Sequence, residues 1–197
     1  MDTLETQRAG FEETRTAFFY GTTLSHSGNQ PRLDPRVTCS RGHRQADTMQ
    51  QQMEPQVFFS VCYSDRDPSQ DIKARHAFKP AVLHGYCRHR VRGADYPGMI
   101  EDPSHSVFGM IVSGITKSNL ERLDFFEGSQ YDRRVVRPML LTKVGDEKGE
   151  GNIEGEQVIT ESYIFLDKGD LEFGEWDFAE FKRDKLTKWT RAGYVFE

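Results

Sequence analysis

Between Leu24 and Gln52 the chain runs for 29 residues without an aromatic side chain, and its only hydrophobic residues there are Leu24, Leu33, Val37, Cys39, Ala46 and Met49. Ser, Gln, Pro and Arg dominate the rest. Such a segment cannot bury enough apolar surface to offset the entropy lost on ordering. It is expected to form a disordered insertion at about 24–52, a long mobile loop of a kind uncommon inside compact domains. Upstream of it, Thr16-Ala17-Phe18-Phe19-Tyr20 is an aromatic run that reads as a buried strand ended by Gly21. Residues 1–15 are polar and read as a flexible N-terminal arm, leaving 16–197 as a single domain.

Beyond the polar segment, Glu54 to Tyr63 suits a short helix with Pro55 in its first turn. Phe78 to Val91 holds a long extended segment, Asp95-Tyr96-Pro97-Gly98 carries turn residues, and Val107 to Val112 reads as another buried strand. Lys117 to Gly128 is the clearest helix. Thr116 or Ser118 can cap it, Ser118 and Glu121 have capping-box spacing, and Gly128 stands where a left-handed C′ residue belongs. Val135 to Val144 and Gln157 to Leu166 are predicted strands of one hairpin, joined by a Gly- and Glu-rich loop. Glu175 to Thr190 has the spacing of an amphipathic helix.

Composition narrows the function classes. Hydrophobic residues make up 36% and aromatics 12% of the 197 residues, enough for a packed core. The net charge of −5 gives no global attraction for nucleic acid or anionic lipid, so neither a nucleic-acid nor a membrane partner is expected. No apolar run has the length of a membrane span, and the first fifteen residues lack an apolar signal core. Cys39, Cys62 and Cys87 are odd in number and widely spaced, which suits a reducing compartment, the cytoplasm, better than a disulfide framework.

The residue best placed for chemistry is Glu127. With Leu120 at 0° on a helical wheel, Leu123 falls at about −60° and Glu127 at about −20°. Glu127 thus stands inside the apolar stripe and in the last turn, where burial and the helix dipole both disfavour its charge. A carboxylate so held suits a general acid/base. Fraying into solvent, or pairing with Arg133 or Arg134, is the structural alternative. At Tyr20-Gly21-Thr22-Thr23 a strand stopping at Gly can offer backbone N–H groups to a carboxylate, or be an ordinary turn. The basic stretch His84, Arg88, His89, Arg90, Arg92 reads as a solvated strand face. His84 and His89 lack a third ligand at recognisable spacing, so no metal site is expected.

Together these segments resemble the gamma-glutamylcyclotransferase-like superfamily, in particular its branch of plant avirulence-induced-gene-two-like proteins. Phe18-Phe19-Tyr20-Gly21-Thr22 resembles the family's FxYGT loop, and Leu123-Asp124-Phe125-Phe126-Glu127-Gly128 with Tyr131 and Arg133 resembles its LDxFEGxxYxR signature. Gly85-Tyr86-Cys87-Arg88 and Asp95-Tyr96-Pro97-Gly98 resemble its middle segment. The resemblance covers roughly residues 16–23 and 53–190. It implies an α+β fold, a small mixed β-barrel with flanking helices. It also implies a cofactor-independent cyclotransferase that releases 5-oxoproline from a small γ-glutamyl amide or peptide. Glu127 would be its catalytic acid/base, and Tyr20, Gly21, Thr22 and Thr23, with Tyr131, Arg133 and Tyr163, its substrate-binding residues. Arg133 is equally a candidate for a surface ion pair.

The sequence departs from the family at one place. The family's YGTL loop leads almost at once into a MxPxV helix. Here Thr23 replaces the Leu, and Met53-Glu54-Pro55-Gln56-Val57 follows only after the polar segment. Joining Thr22 to Met53 through one Leu would restore the pattern, which marks the segment as an insertion beside the expected site. A stress-response binding protein of the same fold, or a same-fold enzyme of specialised metabolism acting on another substrate, are the competing readings.

Overall fold

The computed structural model describes residues 13–20, 55–94, 96–146 and 149–177. The expectations for most of the N-terminal arm, for Gly21, Thr22 and Thr23, for the 24–52 segment and for the helix beyond Asp177 lie outside the described residues. Within them, Glu175–Asp177, the start expected for that helix, is not helical.

The strands are β1 (Arg15–Phe19), β2 (Ala77–Arg90), β3 (Pro97–Ile115), β4 (Tyr131–Val136), β5 (Met139–Lys143), β6 (Ile153–Gln157) and β7 (Thr160–Phe165). They form one seven-stranded sheet in the order β4-β7-β1-β3-β2-β5-β6. All pairings are antiparallel except β1 with β7. The helices are α1 (Pro55–Tyr63), α2 (Gln70–Lys73) and α3 (Lys117–Glu127). The class is α+β, as the resemblance implied, although the ladders run from β4 to β6 without closing into a continuous barrel.

β1 is central and buried on both faces, which explains its uninterrupted aromatic run. Phe18 and Tyr20 face one core cluster, with Ala81, Leu83, Met99, Val107 and Ile164. Ala17 and Phe19 face the other, where Phe58, Phe59 and Cys62 of α1 meet Leu120 and Leu123 of α3. The alternation has period two, as strand geometry demands.

The predicted hairpin exists, but each arm is broken at its middle. Val136 pairs with Thr160 and Met139 with Gln157, while Val158 N–H donates to Pro138 O at 2.9 Å across the break. Pro138 offers no N–H to a ladder, so the ribbon can bend there. Its base, β4 and β7, joins β1, and its tip, β5 and β6, joins β2. One bent ribbon therefore supplies both ends of the sheet, which must curl for this to happen.

β3 is longer than the predicted Val107–Val112. The turn closes earlier, at Val91 to Tyr96, with Gly93 at φ +72. Pro97 and Gly98 then begin the strand instead of making the turn. The ladder continues through polar residues across a wide bulge: His84 faces Ser106 and Tyr86 faces Glu101, so Asp102 to His105 stand opposite Gly85.

His76 is buried beside α1, with ring centroids of Phe58 at 4.8 Å and Tyr63 at 5.6 Å. Its Nε2 is 2.6 Å from Tyr63 Oη. Burial lowers its pKa, outweighing the bond to Ser113 O that acts the other way. The unfolded chain therefore binds the proton more readily than the folded one. Stability is expected to fall as pH drops below about 6.5, the ordinary histidine value. Urea midpoints between pH 5 and 8 check this, and a His76→Phe variant should show a flatter profile.

Candidate active site

Helix α3 positions the site. Its cap is Thr116 and not Ser118: Thr116 Oγ1 accepts from Asn119 N–H, and Asn119 Oδ1 accepts from Thr116 N–H, at 3.2 and 3.1 Å. This reciprocal pair satisfies two donors at the helix start. At the other end Gly128 has φ +71 and donates its N–H to Asp124 O. A positive φ is cheap only for glycine, so the chain can leave the helix sharply there. Glu127, the last helical residue, is thereby held against the core. It is 1% exposed, which excludes fraying into solvent.

Three tyrosines surround it electrostatically. Tyr20, Tyr131 and Tyr163 all have phenol pKa values raised, first by burial, then by Glu127 at Tyr20, by Tyr20 at Tyr131 and by Asp124 at Tyr163, with the Glu127 charge adding to the last two as well. Each hydroxyl has a fixed partner. Tyr20 Oη donates to Tyr163 O at 2.7 Å and accepts from Met99 N–H at 3.3 Å. Tyr131 Oη donates to Pro97 O at 3.0 Å, and Tyr163 Oη to Asp124 Oδ1 at 2.8 Å. These bonds tie β1, β3, β4, β7 and α3 together around one point.

Beside that point opens a cavity of about 350 Å³, lined by Asp124, Gly128, Tyr131, Asp132, Arg133, Glu161 and Tyr163. Arg133 bridges its walls, with Nε 2.9 Å from Asp124 Oδ1 and Nη1 3.3 Å from Glu161 Oε2. Arg134 pairs with Asp132 instead. Of the expected site residues, Tyr20, Glu127, Tyr131, Arg133 and Tyr163 thus come together. Tyr131, Arg133 and Tyr163 line the cavity, while Glu127 and Tyr20 are not among its lining residues. Gly21, Thr22 and Thr23, which follow Tyr20, lie outside the described residues. Sequence reasoning missed Asp124 and Glu161. The pairing Arg133↔Tyr163 puts Glu161 on the same face of β7 as Tyr163, and only the ribbon's register reveals it.

The basic stretch corrects one expectation. His84 is exposed and bonded to Ser106 Oγ and Glu154, and Arg92 is exposed, but Arg88 is buried. Its guanidinium lies 5.7 Å from the Trp176 ring centroid, and its Nη2 lies 3.6 Å from Glu175 Oε1. Among the described residues, the donor atoms of Cys87, Asp102 and His105 lie within 4.8 Å of one another at the β2–β3 bulge. His84 and His89 are not part of that group.

The family model described as gamma-glutamyl cyclotransferase, AIG2-like, matches residues 64–178, more than half of the chain. The chain belongs to that family. Among relatives, it is 32% identical over 150 residues to Protein AIG2 A of Arabidopsis thaliana, covering 68% of this chain and 82% of that one. It is 33% identical over 104 residues to Protein AIG2 C of the same plant, covering 52% and 56% of the two chains. The match spans little more than half the length of several of these relatives. In fold it is similar to the solution structure of At3g28950.1 from Arabidopsis thaliana, with a TM-score of 0.51, 23% identity, and 90% of this chain and 78% of that chain covered. Among the described residues no helix is long and apolar enough to cross a membrane.

Proposed function

We propose that this AIG2-like chain is a γ-glutamyl cyclotransferase that releases 5-oxoproline from a γ-glutamyl amide or peptide. The observation that carries the reading is Glu127, a fully buried carboxylate at a glycine-ended helix terminus, within electrostatic reach of three tyrosines. Family membership supports the reaction class.

The α-ammonium group of the substrate gives a proton to Glu127. The freed amine attacks the γ-carbonyl carbon of the same molecule, and the C–N bond to the leaving amine breaks as Glu127 returns the proton to it. The ring nitrogen gives its second proton to the departing amine, so the products are a five-membered lactam and an ammonium ion. Only a proton is transferred between enzyme and substrate, so the step is balanced without a redox partner. The two reacting groups share one molecule, so holding the glutamyl chain folded supplies much of the rate advantage. Backbone N–H donors would stabilise the oxyanion. Tyr131 and Tyr163 shape the wall, and Arg133, tied to two carboxylates, keeps it in place.

A second reading, a binding protein of the same fold, is favoured by one observation: Glu127 is sealed from the 350 Å³ cavity beside it. The test is 5-oxoproline release from a panel of γ-glutamyl amino acids, γ-glutamyl amines and glutathione. Turnover of at least one member is expected. Silence across the panel, with ligand-dependent thermal stabilisation retained, would favour the binding protein.

A further inference from the structure

Arg88 is the least explained charge in the core. Its residue is 6% exposed, and its Nε and Nη1 are buried without a hydrogen-bond partner among the described residues. Nη2 alone approaches a carboxylate, Glu175 Oε1 at 3.6 Å, too long for a hydrogen bond. Trp176 covers the guanidinium, and Trp176 N–H donates to Arg88 O at 2.8 Å, so the arginine is held and not merely trapped. A buried cation with unmade donor bonds is costly unless something supplies acceptors and negative charge.

Its place in the sheet says where that acceptor would sit. Arg88 pairs with Met99 across the β2–β3 ladder, and cross-strand partners share a face. Met99 N–H donates to Tyr20 Oη. Tyr20 and Met99 belong to one core cluster. Tyr20 also lies within electrostatic reach of both Arg88 and Glu127. A buried cation and a buried carboxylate therefore both act on one tyrosine, at the end of β1. An α-amino acid moiety carries the opposite pair, a carboxylate and an ammonium.

We infer that Arg88 is a substrate-binding residue that receives the α-carboxylate of the glutamyl group, while Glu127 receives its ammonium. The inference rests on the cyclotransferase reading for the identity of the ligand, but the carboxylate site itself does not need turnover. It assigns specificity: substrates with a free α-carboxylate are accepted, and those with an α-carboxamide are refused.

A probe without the amino group separates binding from chemistry. An N-alkyl glutaric acid monoamide keeps the carboxylate and the amide but cannot cyclise. Its diamide counterpart lacks the charge. Calorimetric titration of the whole chain should show the monoamide binding at least about tenfold more tightly, the scale of a charge-assisted hydrogen bond. Arg88→Met should erase that preference, and Arg88→Lys should restore part of it. Thermal melts report whether each variant folds, and if Arg88→Met does not, the comparison of Arg88→Lys with the wild type decides. A wild type that binds both probes equally, or neither, overturns the inference, as does a folded variant that keeps the preference. Loss of the preference in the variant, with no turnover of any γ-glutamyl compound by the wild type, would sink the cyclotransferase reading and leave the carboxylate site standing.

Discussion

Glu127→Gln should lower kcat for 5-oxoproline release by about 10²–10⁴-fold, the usual contribution of a general acid/base. Glutamine has nearly the shape of glutamate, so the substitution opens no cavity at a residue 1% exposed. It keeps an oxygen that can accept a hydrogen bond and loses the site that can take the proton. KM should rise as well, because the neutral amide no longer pairs with the substrate's ammonium group. Glu127→Asp offers a second measurement on the same point. It keeps the acid but withdraws it by one methylene, and a misplacement of about 1 Å can cost about 100-fold. Both variants should melt as cooperatively as the wild type. An unchanged kcat in folded Glu127→Gln would remove this carboxylate from the reaction and leave a shared fold without the proposed chemistry.

A large loss of stability is expected from Gly109→Ala. Gly109 stands on β3 beside β1, and a Cβ there would lie 2.1 Å from Phe19 O and 2.7 Å from Phe18 Cζ. The first contact is with backbone in the central strand, which cannot swing aside as a flexible side chain can. Either β1 separates from β3 or Phe18 leaves its place in the core. A cost of about 3 kcal/mol or more is expected, at the upper end for overpacking. Gly85→Ala is the informative comparison. Gly85 has φ +81 and nothing within 4 Å of an added Cβ. That substitution carries only the backbone penalty of about 1–2 kcal/mol. Urea unfolding of both variants separates steric from conformational cost. Equal losses would mean that β1 is not packed against Gly109 as described.

How far the sequence could be read follows from the range of the forces involved. The aromatic run at Phe18-Phe19-Tyr20 and the stripe Leu120, Leu123, Glu127 are local patterns, and both are buried as expected. Gly128 is legible for the same reason, because a positive φ selects glycine from backbone sterics alone. Of the two caps the sequence offered, Thr116 is the one formed; the capping box runs from Thr116 to Asn119 and not from Ser118 to Glu121, because Asn119 supplies the reciprocal bond that a Glu usually makes. The length of β3 could not be read, because Asp102 to His105 leave the ladder in a bulge opposite Gly85 and the strand resumes beyond it without apolar alternation. Arg88 looked like one more charge on a wet strand. Its guanidinium lies over Trp176, 88 residues further along, which no local window contains. Asp124 stood within the recognised motif, but its engagement by Arg133 and Tyr163 needs the ribbon of β4 and β7 to fold back beside α3.

The position of β1 carries a consequence for how the molecule is made. Its neighbours are β3 and β7, and Thr16 Oγ1 meets Thr160 Oγ1 at 2.9 Å across 144 residues of chain. While a ribosome is still translating, the first aromatic strand has emerged and its second neighbour has not. Phe18, Phe19 and Tyr20 must wait as unpaired, greasy peptide until β3 is made, and the other edge of β1 stays open until β7 follows, the circumstance in which nascent chains engage holdase chaperones and self-associate.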